Sequence, residues 1–145
     1  MQQTTLAHFQ ERQEAGAACL TAWHEGRIVD MDWLFSREYD CPYTGLKIAW
    51  PADACYGAEL YEHPDFHGKG VGLELLGYSL AETGKRGFRR QVTLVSSRNL
   101  KMLGASVQFF GLKAVGEIHT ARVLRHPRST WRIGERTGRG GKVLL

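Results

Sequence analysis

His67-Gly68-Lys69-Gly70-Val71-Gly72 is the stretch on which the reading of this chain turns. Its glycines stand at every second position, which strips side chains from a turn and lets backbone N–H groups face one concavity. A strand-like segment, 54–62, leads into it through His63-Pro64, where proline ends a ladder. An amphipathic helix leads out over 71–83, with Leu73, Leu76 and Leu80 at i, i+3 and i+7, and Gly84 or Gly87 to stop it. The positive end of that helix adds to the amides, so the stretch suits a phosphate or pyrophosphate. No Gly-Lys-Ser/Thr follows at P-loop spacing, and no acidic ribose residue is placed for a dinucleotide fingerprint.

Upstream, residues 4–15 read as a short polar helix capped by Thr4 or Thr5, with a thin stripe of Leu6 and Phe9 and a stop at Gly16. A hairpin follows, Ala18–Trp23 and Ile28–Phe35 about the turn 24–27. In its second strand Val29, Met31, Trp33 and Phe35 alternate with Asp30, Asp32 and Leu34, which makes one face largely polar. Residues 36–53 read as loop with a short strand at 46–50. Downstream come a strand at 91–96, Asn99 as a cap, and a helix at 100–110. Leu100, Leu103, Val107 and Phe110 form the expected core stripe of that helix, beside Asn99, Met102, Ser106 and Phe109. Gly111 ends it, and strands are expected at 113–124 and 129–133. This order predicts a mixed sheet covered by helices, an α/β or α+β architecture.

At 145 residues the chain is expected to form one domain over 1–131, followed by a mobile Gly- and Arg-rich tail over 132–145. Hydrophobic content of 43% and charged content of 23% are ordinary for a globular protein. No stretch approaches the roughly 20 apolar residues of a membrane span, and no signal-peptide pattern opens the chain, which points to a cytoplasmic address. The three cysteines, Cys19, Cys41 and Cys55, form no Cys-x-x-Cys and suggest reduced thiols. No metal is expected: His63 and His67 stand four apart, but Pro64 and Gly68 break the helix that would align them. The tail arginines have Trp131 as their only aromatic companion and read as solvated charge, not as a nucleic-acid arm.

From about residue 54 to 118 the chain resembles the GNAT superfamily, the acyl-CoA-dependent N-acyltransferases. The resemblance rests on Leu60-Tyr61-Glu62-His63-Pro64-Asp65-Phe66 running into the glycine turn, then the helix, Leu94-Val95-Ser96, Asn99, and Gly111-Leu112 before a strand. The family loop reads Arg or Gln, two residues, Gly, one residue, Gly or Ala; here His67 departs at the first position, while Gly70 and Gly72 match. The resemblance implies a central mixed, mostly antiparallel sheet flanked by helices. It implies acetyl-CoA or another acyl-CoA as co-substrate and an amine, on a small molecule or a protein, as acceptor. Backbone amides of the turn, contributed by His67, Gly68, Lys69, Gly70, Val71 and Gly72, would hold the coenzyme pyrophosphate. Leu60, Tyr61 and Glu62 would pair with the pantetheine arm, and Asn99 would contact the coenzyme besides capping its helix.

Direct transfer needs a base for the acceptor ammonium and an acid for the departing thiolate. Glu59 is the preferred base, with His63 second; with Tyr61 they share one face of the strand by alternation. The usual tyrosine acid is missing. Its position falls on Val107 counted back from Gly111, or on Ser106 counted seven forward from Asn99, which leaves Ser106 as the candidate there. A thiolate with pKa about 8.5 leaves with little assistance. The missing tyrosine also favours an alternative, a non-catalytic acyl-CoA-binding or regulatory module on the same fold. Relatives usually carry a strand and about two helices before the hairpin. Here the acceptor lid is abbreviated, or a second copy in a homodimer supplies part of it, or the chain is the C-terminal part of a longer ancestor.

Overall fold

The computed structural model describes residues 6–144, the side chains of Leu6, Glu59, Val143 and Leu144 excepted. The cap expected at Thr4 or Thr5 lies outside the described residues, as does the side chain of Leu6. In chain order the elements are α1 (Leu6–Glu14), β1 (Ala18–His24), β2 (Arg27–Phe35), β3 (Tyr39–Cys41), β4 (Leu46–Ala49), β5 (Ala54–Glu62), a 3-10 turn (Pro64–Phe66), α2 (Val71–Lys85), β6 (Arg90–Thr93), α3 (Leu100–Phe110), β7 (Gly116–Val123), β8 (His126–Ile133), β9 (Arg136–Arg139) and β10 (Lys142–Leu144). They divide between two compact units, Met1–Ser36 with Ala52–Leu94, and Arg37–Pro51 with Val95–Leu145.

The first unit is a sheet of order β1-β2-β5-β6. The β1–β2 and β2–β5 pairs are antiparallel, and the β5–β6 pair is parallel. Glu25 and Gly26, at φ 49° and 75°, make the two-residue turn whose twist suits a hairpin. Alternation along β2 sends Trp33 to one face, where it is fully buried against Phe9 of α1 at 5.4 Å between rings, with the Arg12 guanidinium over it. Leu34 goes to the other face and packs with Leu20, Cys55 and Leu75 of α2.

The polar residues expected on one face of β2 are therefore not a wet surface. Asp30 and Asp32 share the Leu34 face, and both are buried under α2. The buried line of α2 is Leu75, Leu76, Ser79 and Thr83; of the expected Leu73–Leu76–Leu80 stripe Leu76 is buried and the other two are half-buried. A polar network fills that interface. Ser79 hydrogen-bonds the Asp32 carboxylate, and Gln91 Nε2 donates to Ser79 Oγ at 3.1 Å. Thr83 Oγ1 lies 3.0 Å from Gln91 Oε1 and 3.3 Å from Cys55 Sγ. Each polar group thereby recovers part of what it loses on leaving water.

The second unit holds two three-stranded sheets. In one, β3 pairs antiparallel with β4, whose other edge carries β10 in parallel. In the other, β7, β8 and β9 form an antiparallel meander. Residues 132–144, expected as a mobile tail, instead complete β8 and form β9 and β10. Ser129 Oγ, buried on β8, donates to the Thr44 carbonyl at 2.6 Å. Lys47 and Lys142 both reach Glu38, at 3.0 and 2.5 Å. On α3 the expected core stripe is split: Leu100 and Val107 are 74% and 60% exposed, Leu103 and Phe110 are half-buried, and Ser106 is the buried residue.

Candidate functional site

The first unit opens beside the glycine turn. β5 pairs with β6 from Ala54 opposite Arg90 to Gly57 opposite Thr93, and no further. On its other edge β5 stays paired with β2 as far as Glu62 opposite Asp30. Within this unit, residues 58–62 thus present a backbone edge with no strand on the β6 side. The β2–β5 register jumps from Met31 opposite Tyr61 to Trp33 opposite Ala58, so β5 carries an extra residue at Glu59 and Leu60. Such a bulge re-aims the strand at the point where it becomes an edge. An extended chain bearing amide groups can pair with an edge of this kind.

The turn that follows is tightly organised. His63 N–H donates to the Val29 carbonyl at 2.8 Å, and His67 and Lys69 N–H groups donate back to Pro64 and Phe66 at 3.2 and 3.0 Å. His63 Nδ1 accepts from Asp65 N–H at 3.3 Å, and the His67 ring lies 3.0 Å from the Glu62 carbonyl. Gly68 and Gly70 have φ of 78° and 87°, a region that side chains make costly, while space around both is open. Glycine is thus required there by the backbone path. The first intrahelical bond of α2 runs from Glu74 N–H to the Gly70 carbonyl. Val71, Gly72 and Leu73 therefore carry the unpaired amides of the first helical turn. The Lys69 amide is committed inward, so the donor set facing a ligand is narrower than a continuous run over 67–72.

Two carboxylates lie under that first turn. Glu62 Oε1 accepts from Gly72 N–H at 3.3 Å. Asp30, its cross-strand neighbour, is fully buried; its Oδ1 accepts from Met31 N–H at 2.7 Å, and its Oδ2 has no hydrogen-bond partner among the described residues. Burial pushes the Asp30 carboxyl up to about 6, and the nearby charges of Glu62 and Asp32 add to the rise. Burial also raises Asp32 to about 6, against hydrogen bonds from Ser79 and the Trp33 amide that pull it down. Neither aspartate carries a sequence motif that assigns it to the site. The signal lay in Leu34, two residues on from Asp32 and on the same face.

Of the residues singled out from sequence, Leu60, Tyr61, Glu62, His67, Gly68, Lys69, Gly70, Val71 and Gly72 come together at the β5 edge and the turn. The side chain of Glu59 lies outside the described residues. His63 caps the 3-10 turn and stacks edge-on to Phe66. Asn99 and Ser106 belong to the second unit. Asn99 Oδ1 caps α3 through Met102 N–H at 3.1 Å. Ser106 is 4% exposed, and its hydroxyl has no hydrogen-bond partner among the described residues. The three cysteines are unbridged, and burial raises the Cys55 thiol. Among the described residues there is no group of three His, Cys, Asp or Glu side chains able to hold a metal, and no helix long and apolar enough to cross a membrane.

No protein-family model matches the sequence, and no curated protein matches it either. Solved structures do. An N-acetyltransferase from Staphylococcus aureus Mu50 matches with a TM-score of 0.63 at 18% identity, over 87% of this chain and 72% of that one. The structure of AAC(6')-Iy in complex with the bisubstrate analog CoA-S-monomethyl-acetylneamine matches with a TM-score of 0.60 at 16% identity, over 81% of this chain and 78% of that one. A transcriptional regulator from Bacillus halodurans C-125 matches with a TM-score of 0.58 at 17% identity, over 78% and 73%. At these identities the likeness is one of fold, and by that likeness the chain has the fold of the GNAT superfamily of acetyltransferases.

Proposed function

We propose that the chain is an acyl-CoA-dependent N-acyltransferase, using acetyl-CoA or a close acyl-CoA and an amine acceptor on a small molecule or a protein. One observation carries this reading: the backbone edge of β5 left open past Gly57 runs directly into the positive-φ turn and the first turn of α2. The edge offers peptide groups to the two amides of a pantetheine arm, and the turn offers amides to the pyrophosphate beyond it. AAC(6')-Iy, of the same fold, has been seen with a CoA-derived analog.

In this reading the neutral amine attacks the thioester carbonyl carbon, and a backbone N–H near 60–62 takes up charge on the carbonyl oxygen. The C–S bond breaks and the thiolate leaves, protonated by solvent. The proton released by the new ammonium centre passes to Glu59, or to His63, directly or through one water. A second reading, a non-catalytic acyl-CoA-binding module, is favoured by Val107 at the position of the family's tyrosine and by the regulator that shares the fold. Calorimetric titration with acetyl-CoA and desulfo-CoA tests the shared core of both. We expect micromolar binding that Gly70→Glu abolishes, because a side chain at φ 87° strains the turn and a carboxylate opposes the phosphates. Thiol release over a panel of amines then separates enzyme from binding module. Failure to bind either ligand would remove both readings.

A further inference from the structure

The carboxylate of Glu62 sits where a phosphate oxygen is expected. It accepts the Gly72 N–H, one of the three amides that the first turn of α2 leaves unpaired. It places negative charge at the positive end of a 15-residue helix, whose own first turn carries Glu74. Asp30 stands behind it. A Cβ placed on Gly72 would lie 3.4 Å from Asp30 Oδ2 and 3.6 Å from Glu62 Oε1, so both carboxylates flank the open face of that residue. That Asp30 oxygen, buried and without a hydrogen-bond partner among the described residues, lies beside the same glycine. Gly70, the cap residue, contributes no side-chain hydrogen bond to the turn.

We propose that the Glu62 side chain is an internal plug of the phosphate-binding turn, occupying the Gly72 amide until a coenzyme pyrophosphate displaces it. The proposal rests on the coenzyme reading above and adds the regulation of that site. The geometry gives the plug two parts. Glu62 holds the amide, and Asp30 stays fixed beneath the helix because it is buried and anchored to its own neighbouring backbone. A pyrophosphate arriving at Val71 and Leu73 meets one carboxylate that can swing away on three rotatable bonds and one that cannot. Binding then carries the penalty of breaking the Glu62–Gly72 contact, and the coenzyme's affinity reports that penalty.

The test is desulfo-CoA titration of the full chain as wild type, Glu62→Ala, Glu62→Gln, and Glu25→Gln as a control of equal charge change in the exposed hairpin turn. Glu62→Ala should bind about tenfold more tightly, Glu62→Gln should fall between it and wild type, and Glu25→Gln should match wild type. In amide NMR spectra, the Gly72 proton should shift upfield in Glu62→Ala before any ligand is added. A thermal melt checks folding, and a gain of affinity cannot come from misfolding; where the alanine variant does not fold, the glutamine variant decides. Equal or weaker binding by folded Glu62 variants, beside a wild type that binds, would overturn the plug and leave the coenzyme reading standing. Absence of binding in every variant would overturn the coenzyme reading, and the plug with it.

Discussion

Replacing Asp32 by asparagine should make the protein more stable at neutral pH and less stable, by about 1–2 kcal/mol, in acid, where the aspartate is protonated in both states. Asp32 is 4% exposed between the sheet and α2, and its carboxyl is raised from 3.8 to about 6, mainly by burial. The native state therefore holds a proton that the unfolded chain releases at lower pH. Where the native state binds more protons, stability falls as pH rises. The fall begins near the unfolded value of about 4 and is complete above the native value near 6. A shift of two units corresponds to about 3 kcal/mol. Asparagine keeps an oxygen for the Ser79 hydroxyl and the Trp33 amide but adds an N–H2 group that lacks a buried partner, at a cost of about 1–2 kcal/mol. The net gain at pH 7.5 is then about 1–2 kcal/mol, or roughly 3–6 °C in Tm for a chain of this size. Urea and thermal unfolding followed by circular dichroism at pH 4.5 and 7.5 would measure it. The wild type should be more stable at the lower pH. Below about pH 4 the trend reverses, because the exposed carboxylates of Glu38 and Asp53 are held low by Lys142 and Lys47 and by Arg90 and lose those partners on protonation. An equal gain for the variant at both pH values, or a wild type more stable at pH 7.5, would refute the argument.

Gly57→Ala should destabilise by about 1–3 kcal/mol, because its Cβ would meet Gln91 Nε2 at 2.4 Å and drive that side chain from Ser79 and Thr83; the loss should shrink in a Gln91→Ala background, and a double-mutant cycle with no coupling would reject the network. Ser129→Ala should cost about 1–3 kcal/mol in urea unfolding, since it strands the Thr44 carbonyl and the Thr120 hydroxyl; a change within error would mean that water replaces the hydroxyl freely. Glu59→Gln should lower kcat about a hundredfold with desulfo-CoA affinity unchanged, and His63→Gln should lower it less than tenfold; the reverse order in the pH–rate profiles would move the base to His63.

The turn was the legible part. Alternating glycines after His63-Pro64 and before a leucine-periodic segment leave few alternatives to strand, tight turn and helix. The Glu25-Gly26 hairpin is legible for the same local reason. What escaped reading was decided by partners distant in sequence. Asp30 and Asp32 look like surface residues until α2 is laid over them with Ser79 in reach. The α3 stripe is ambiguous because apolar residues surround the helix, and packing selected the side bearing Ser106. The C-terminal residues read as tail because Arg, Gly and Thr carry no alternation. Yet Gly138 is needed where it stands, since a Cβ there would strike the Trp131 ring at 2.4 Å. The Glu62 contact with Gly72 depends on a side-chain reach across ten residues that no spacing rule encodes.

The parallel seating of β10 on β4 has a consequence for how the protein is made. Lys142 pairs with Lys47, so one side of β4 is completed by residues synthesised nearly a hundred positions later. Every strand of the first unit has left the ribosome once Thr93 has emerged, and its sheet needs nothing beyond that point. The segment between Arg37 and Pro51 must wait, with one flank of β4 open, until β10 has been made. An open strand flank on a nascent chain is a place for mispairing. Slow translation or a stalled ribosome between Pro51 and Lys142 would lengthen that wait.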